Sequence, residues 1–562
     1  MARPDEVFRI WQLNCSCFTA LKASLQHYLR SQDAKLHGTT LWQHANDLDL
    51  TLLTDEAFPI RIGSYTHGDT IPDLCFVKNT AYVRWSNFAE DLGSDDLILA
   101  AYLPIVIRKP KSYTPQDPEP LFLTPYIENC SYYEAREKSK IPFAQSFGVA
   151  AYSGYITVNK TARSNLFFLL TEVQGNSSDA PLLLWTQGGP GLSALFGLFL
   201  ENGPVDFIGF GSNYTPILQN RTNTLQKNMS VLYLDLPVGA GFSFTGDEQN
   251  GYPTSLEEIV LHVKEFLDQF VKVFSEYEGR DFYLAGESYG ARYSVAVAHY
   301  WNIMNLSDSK LNLKGVIGGN GFLGPIFDLA DSSDFLYQMS MVDSKGRTEF
   351  KERFQLMKRL AASENVTHKM YALMLLTSTL FINDTSPTLF QNLTLYHDHA
   401  SPMYTHRPVR MLYCAGFLND SVTKVLLHAG ANNTFQIINE VMLQTFAIDS
   451  LRDISTFNEH VLNESRVLLY NGQMDALFPS VNQRDYYRRL NWTYADDYRN
   501  ATRYPWQPHP GYYGFAGYMK TVHNFTEAVI LGMSHYGAAE KPDEPYFLIT
   551  QFIANSSKGG SV

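Results

Sequence analysis

One serine in this chain stands where nucleophilic chemistry needs it. The strand-like run DFYLAG (281–286) leads into Gly286-Glu287-Ser288-Tyr289-Gly290, and residues 291–303 have helical character. Gly-x-Ser-x-Gly between a strand and a helix is a sharp turn that lifts a hydroxyl clear of the backbone. It also sets that hydroxyl at a helix N-terminus, which favours developing negative charge. The bare pattern also arises by chance as a structural turn; its flanks set Ser288 apart. A serine nucleophile needs a base to take its proton and an acid to orient the base. Asp475 follows the apolar run RVLLYNG (466–472), and His535 follows TEAVILG (526–532). The order serine, acid, histidine is the one that accompanies such a turn. Asp475 could instead be a strand-end cap. His509 and His523 read as solvated or structurally satisfied, whereas His535 lies after the last strand and downstream of both partners.

A third element is Trp185-Thr186-Gln187-Gly188-Gly189-Pro190-Gly191, closing the apolar run PLLLWT (181–186). Its glycines permit backbone amides to point inward. One of them, with the amide of Tyr289, would make an oxyanion hole. A tight Gly-Pro turn forms there in either case, so the question is whether it faces Ser288.

These groups need a scaffold. GVAAYSGYITV (148–158) and NLFFLLTEV (165–173) read as a hairpin, and PLLLWT and SVLYLDLP (230–237) as buried strands. Apolar residues at helical spacing run from 255 to 277, and Ser255 with Glu258 predicts a capping box at the start. LKGVIGG (313–319), RVLLYNG and TEAVILG are further strands, and residues 545–554 suit a terminal helix. Strands alternating with helices predict an α/β protein with a mostly parallel sheet covered on both faces. Between about 325 and 450 the pattern turns helical and irregular, which predicts a lid inserted over the sheet.

The composition excludes other classes. The 562 residues carry a formal net charge of −13, with 45% hydrophobic and 18% charged residues. That is neither a fibrous nor a disordered composition. The acidic balance argues against a nucleic-acid partner. Five cysteines without a CxxC pair make neither a disulfide scaffold nor a structural zinc site, and the reading needs neither metal nor cofactor. It leaves open whether Cys130 pairs with Cys414. No apolar run is long enough to predict a membrane span, and the start MARPDEVFRIWQLNC has no signal-peptide core.

One pattern speaks for the secretory lumen. Seventeen Asn-x-Ser/Thr triplets follow residue 128, from Asn129 to Asn555, and one precedes it at Asn14. Chance predicts about four for that many asparagines, and the motif is a sugar acceptor only in the lumen. Residues from 129 onward therefore read as lysosomal or secreted, whereas the first residues read as cytosolic. The Pro-rich, charged stretch RKPKSYTPQDPEP (108–120) marks the seam.

PLLLWTQGGPGLSALFGLFLENGP, NMSVLYLDLPVGAGFSF, DFYLAGESYGARY, VLLYNGQMD and HYGAAEKP resemble the serine carboxypeptidases over about residues 118–556. LFLTPYIENC and SGYITVNKTARSNLFFLL are most similar to the vitellogenic-carboxypeptidase-like branch. The resemblance implies an α/β-hydrolase fold with a helical lid insertion. It implies hydrolysis of single residues from the free C-terminus of a peptide, through an acyl-enzyme and at acid pH. Ser288 would be nucleophile, His535 base and Asp475 its orienter, with the amides of Gly189 and Tyr289 holding the oxyanion. Gln187, Glu201 and Glu287 would hold the substrate's terminal carboxylate. Two neighbouring carboxyls cannot both ionise cheaply, so one keeps its proton toward neutrality and can donate it in a hydrogen bond. The chain departs from the family three times. Gly286-Glu287-Ser288-Tyr289-Gly290-Ala291 stands where the family has Gly-Glu-Ser-Tyr-Ala-Gly, a swap of two small residues. Gly191-Leu192-Ser193-Ala194 stands where the family has Gly-(Gly or Cys)-Ser-Ser. Met533-Ser534-His535-Tyr536-Gly537-Ala538 stands where it has x-Gly-His-Met-Val-Pro.

Residues 1–107 resemble a truncated non-LTR retrotransposon endonuclease, a metal-dependent nuclease. Asn14 and Asp73 fit its positions, but the closing Ser-Asp-His reads Ser94-Asp95-Asp96, and the central stretch with the metal-binding Glu is missing. A small α+β remnant without nuclease activity is expected there. The leading reading for residues 121–558 is a serine carboxypeptidase domain. The altered loops motivate a decayed, secreted binding protein as an alternative, and an acyltransferase on the same scaffold is another.

Overall fold

The computed structural model describes residues 118–556, save short pieces at 142–143, 145–147, 176–178, 212–213, 305–309 and 384, together with short strands before them. The chain divides into two compact units, residues 1–108 with 210–219, and residues 109–209 with 220–562. In the first unit, Leu50–Leu52 pairs antiparallel with Phe76–Lys78, and Arg84–Phe88 with Ile98–Tyr102. These first two strands fall inside LDLTLLT (48–54) and DLCFVK (73–78), short runs of mostly apolar residues that favour extended chain. Asn14, Asp73, Ser94, Asp95 and Asp96 lie outside the described residues.

The second unit is built on a ten-stranded sheet. Its strands are β1 Ala151–Asn159, β2 Ser164–Thr171, β3 Leu182–Thr186, β4 Ser230–Leu234 and β5 Asp281–Glu287. They continue as β6 Asn312–Gly319, β7 Arg466–Gly472, β8 Tyr504–Trp506, β9 Gly517–Val522 and β10 Phe525–Ile530. The spatial order is β8-β9-β10-β7-β6-β5-β3-β4-β2-β1. From β10 to β4 the neighbours run parallel, and the strands at either edge join antiparallel. The apolar runs of β3 and β4 are buried along their whole length, as strands covered on both faces must be. The two short edge strands β8 and β9 were not legible. Gly517–Val522 carries Lys520 inside its run, and edge strands need not be apolar.

Helix α1 (Leu256–Val273) buries Ile259, Val260, Val263, Leu267 and Phe270. Its cap differs from the expected box. Ser255 Oγ accepts the Glu258 amide at 3.3 Å, but the Glu258 carboxylate accepts the amide of Thr254, at 2.7 Å, rather than that of Ser255. Helix α2 (Tyr289–Ile303) starts directly after β5. Between β6 and β7 the chain is helical from Ile326 to Glu464, rather than ending near 450. This insertion includes α3 (Ser344–Ala361), α4 (Val366–Leu380) and α5 (Glu440–Ser450). Helix α6 (Asp543–Ser556) closes the described chain. Cys130 and Cys414 are both free, the first exposed and the second buried.

The turn from β5 into α2 depends on Gly290. A Cβ there would lie 2.3 Å from the carbonyl oxygen of Thr186 at the end of β3. Backbone cannot yield as a flexible side chain can, so Gly290→Ala should lower stability by about 1–3 kcal/mol. Urea unfolding of the full chain measures this, and an unchanged midpoint would show that β3 and α2 separate freely.

Candidate active site

Ser288 sits between β5 and α2 with φ 57° and ψ −119°, a backbone region that non-glycine residues rarely occupy. The turn is held at both ends. Ser288 N–H donates to Gly319 O at 2.8 Å, and Phe322 N–H donates to Ser288 O at 3.0 Å. Its hydroxyl lies 3.2 Å from His535 Nε2. His535 Nδ1 lies 2.8 Å from Asp475 Oδ2. Asp475 is fully buried, and its Oδ1 accepts the amides of Leu477 and Phe478 at 2.9 and 2.8 Å. Two backbone donors thus fix the carboxylate and leave Oδ2 for the imidazole. Those partners place the ring proton on Nδ1 and the free lone pair on Nε2, facing Ser288. Burial works against the imidazolium, but the Asp475 carboxylate outweighs it, so the His535 pKa lies above the ordinary histidine value.

The loop after β3 does face the serine. Gly188 packs so closely that a Cβ would lie 2.5 Å from Ser288 Cβ and 2.9 Å from both Ser288 Oγ and Tyr289 N. Gly189 follows in the left-handed half of backbone space, at φ +112°. The far end of the loop is tied down by Asp235. That buried carboxylate accepts from Ser193 Oγ at 2.6 Å, Ala194 N at 2.9 Å and Phe242 N at 2.8 Å. Burial pushes its pKa up to about 7, against these three donors.

Behind the serine lies a second buried group. Gln187 Nε2 donates to Glu201 Oε1 at 3.0 Å and to Glu287 Oε2 at 2.9 Å, while Gln187 Oε1 accepts from Trp185 Nε1 at 2.9 Å. No other group donates to the remaining carboxyl oxygens, the buried Glu201 Oε2 and Glu287 Oε1, and the two carboxyls hydrogen-bond each other. Burial raises the Glu201 pKa to about 7. Burial, and then the neighbouring Glu201, raise that of Glu287 well above the carboxyl range. The pair therefore keeps a proton where an exposed glutamate has lost it. All eight residues singled out in the sequence meet in this one region.

Two positioning residues gave no sequence signal. Asp235 and Asn320 each follow an apolar strand, as many structural caps do. Asn320, at φ 45°, accepts the Gly472 amide at 2.7 Å and donates to the carbonyls of Ser534 and His535 at 3.0 and 3.3 Å. It joins the loops of Asp475 and His535 from the strand between β5 and β7. Among the described residues no cluster of three or more His, Cys, Asp or Glu side chains is arranged to hold a metal. No helix among them is long and apolar enough to cross a membrane.

Residues 142–555 match the serine carboxypeptidase family. The chain belongs to that family. It is 34% identical over 442 residues to the venom serine carboxypeptidase of Apis mellifera, covering 78% of this chain and 91% of that one. It is 32% identical over 439 residues to the probable serine carboxypeptidase CPVL of Homo sapiens, covering 77% and 90%. With the vitellogenic carboxypeptidase of Aedes aegypti it shares 29% identity over 444 residues, covering 77% and 90%. The fold matches Kex1(delta)p, a prohormone-processing carboxypeptidase from Saccharomyces cerevisiae, with a TM-score of 0.61 at 19% identity, over 75% of this chain and 96% of that one. The protein is thus a serine-type carboxypeptidase with an α/β-hydrolase fold and a mostly parallel central sheet. The likeness of residues 1–107 to a nuclease finds no counterpart in these matches.

The carboxyl pair has a thermodynamic consequence. A carboxyl whose pKa is higher in the folded than in the unfolded state favours folding at low pH. That contribution is full below the ordinary carboxyl pKa and is lost as pH rises through the raised one. Glu287→Gln removes the ionisation, so the variant should gain thermal stability relative to the parent as pH rises from about 4.5 to 8. Scanning calorimetry of both proteins across that range measures the difference. A pH-independent gap would show that Glu287 ionises as an exposed glutamate does.

Proposed function

We propose that this enzyme releases single residues from the C-terminus of peptides through a Ser288 acyl-enzyme, working best at acid pH. The observation that carries the reading is the hydrogen-bonded series Ser288–His535–Asp475 set beside the protonated Gln187–Glu201–Glu287 group. Ser288 Oγ attacks the carbonyl of the last peptide bond while His535 takes its proton. The amides of Gly189 and Tyr289 receive the oxyanion. His535 then gives the proton to the departing amino group, and the same base activates the water that releases the acyl half. Asp475 holds the imidazole in its tautomer and balances its charge. The Gln187–Glu201–Glu287 group receives the substrate's terminal carboxylate in this reading, and the proton its two carboxyls share supplies the donor. The decayed-binder alternative draws no support from a site in which every catalytic group is within hydrogen-bonding reach.

The insertion between β6 and β7 is proposed as a lid. Its helix α5 presses Met442 onto Gly191, and Phe446 lies 5.9 Å from the Tyr289 ring. The lumenal, lysosomal or secreted location rests on the acceptor triplets. Fourteen of the seventeen after residue 128 have described asparagines; thirteen are exposed, Asn159 is half-buried, and none is buried. The buried asparagines Asn165, Asn202, Asn320, Asn458 and Asn471 all lie outside triplets. Residues 1–107 are proposed to contribute no chemistry, because Asp96 stands where the nuclease pattern requires histidine.

Ser288→Ala should lower kcat on a blocked dipeptide by several orders of magnitude without removing substrate binding. Retained activity would sink the assignment. On the parent enzyme KM should climb with pH as the shared proton is lost, while kcat, which needs a neutral His535, should not fall with it. Glu287→Gln should flatten that climb for acid substrates, while peptide amides, which present no carboxylate, should respond weakly in both proteins. Parallel KM curves would end the carboxylate-clamp role. Protein from a secretory host should run heavier on a gel than its backbone mass and shift down after endoglycosidase treatment; absence of a shift would reject the lumenal location.

A further inference from the structure

The loop that carries His535 lacks the glycine and proline that the family pattern would lead one to expect, yet His535 reaches both Asp475 and Ser288. Something outside the loop has to hold it. The contacts point to a short stretch of the insertion, Asp398-His399-Ala400-Ser401, whose residues are all buried. Ala400 O accepts the His535 amide at 3.3 Å and the Ala476 amide, next to Asp475, at 3.4 Å. Asp398 Oδ1 accepts the Tyr536 hydroxyl at 2.8 Å and the Ala400 amide at 2.9 Å. Ser401 Oγ donates to Glu540 Oε1 at 3.3 Å, and Glu540 Oε2 accepts the Ser534 amide at 2.8 Å. Ser534 Oγ in turn accepts the Tyr536 amide at 3.3 Å. The stretch is itself anchored, since His399 Nδ1 accepts the Ile382 amide at 3.2 Å and its ring packs on Phe381.

We propose that Asp398 and Tyr536 are positioning residues for the catalytic base, and that residues 398–401 form a strap by which the insertion sets the spacing of His535 from Asp475. Tyr536 is the informative residue. It stands where the family pattern has methionine, and a thioether, an acceptor only, has no proton to give the Asp398 carboxylate. The rigidity lost with the loop's proline is replaced by side-chain hydrogen bonds from a separate part of the chain. The insertion is then part of the catalytic frame as well as a cover. A hydroxyl on a fully buried carboxylate holds its ring in one orientation, and Tyr536 adjoins the base in the chain. Misplacing a catalytic group by as little as 1 Å costs about a hundredfold in rate.

This rests on the reading of His535 as base, and the two fail differently: loss of that reading appears as an active His535→Ala enzyme, whatever residues 398–401 do. The test uses the full chain with Tyr536→Phe, Asp398→Ala, Asp398→Asn and the double variant Tyr536→Phe/Asp398→Ala. Tyr536→Phe keeps the ring and removes only the hydroxyl. It and Asp398→Ala should each lower kcat about ten- to hundredfold with KM within about twofold of the parent. Asp398→Asn still offers a carbonyl oxygen to both Tyr536 and the Ala400 amide, so it should recover most of kcat. The double variant should be no slower than the slower single one, because both changes break the same contact. A merely structural role would instead lower the melting temperature and the yield of active enzyme, with kcat per titrated active site unchanged. Organophosphonate titration of Ser288 supplies that normalisation. The proposal is overturned if kcat per active site stays within twofold in Tyr536→Phe, if Asp398→Asn is as slow as Asp398→Ala, or if the single effects multiply in the double variant.

Discussion

The structure turns on a 3.2 Å approach between His535 Nε2 and Ser288 Oγ, two atoms whose residues lie 247 positions apart. The parallel sheet makes that approach achievable. Ser288, Asp475 and His535 each follow the C-terminal end of a strand, β5, β7 and β10, and those strands run in one direction with only β6 between β5 and β7. Neighbouring strands lie about 4.8 Å apart, so three strand ends spread the side chains by little more than their own lengths. Loop contacts make the last correction. Asn320, at the end of β6, fills the gap between β5 and β7 and draws the loops of Asp475 and His535 together.

Two kinds of buried carboxyl surround the serine, and their environments separate their roles. Asp475 receives two backbone amides and a histidine, all donors to the charged form. Glu201 and Glu287 share one glutamine and otherwise have only each other as hydrogen-bond partners. Donors that stabilise charge make an orienting carboxylate. Desolvation with too few donors makes an acid that keeps its proton. One small region thereby holds an orienting carboxyl group and a pair that keeps a proton, the combination the proposed reaction uses to orient a histidine on one side and read a carboxylate on the other.

The insertion between β6 and β7 is woven into this frame. Its α5 packs on the loop beside Ser288, and residues 398–401 touch the loops of both Asp475 and His535. Changes in the insertion therefore reach the catalytic geometry through hydrogen bonds of fixed length.

Much was legible from the residues alone. Each strand that carries a catalytic group announces itself as an apolar run ending in glycine, because a strand buried on both faces tolerates little else and the turn after it needs room. Ser288, the proposed nucleophile, was marked by its local turn, and Asp475 and His535 by their place after later strands. The edge strands β8 and β9, the cap of α1 and the helical extent to Glu464 were not legible, because short edge strands and helix ends depend on neighbours rather than on hydrophobic period. The roles of Asp235, Asn320 and Asp398 were hidden as well. A lone Asp or Asn after an apolar run serves equally as a turn, a cap or a clamp, and only the partner distinguishes them. The amino-acid sequence by itself determined the chemistry and the sheet that presents it, since both follow from local pattern. The tertiary structure alone decided which buried carboxyls ionise and what holds the histidine in place, since desolvation and hydrogen bonding are set by residues distant in the chain.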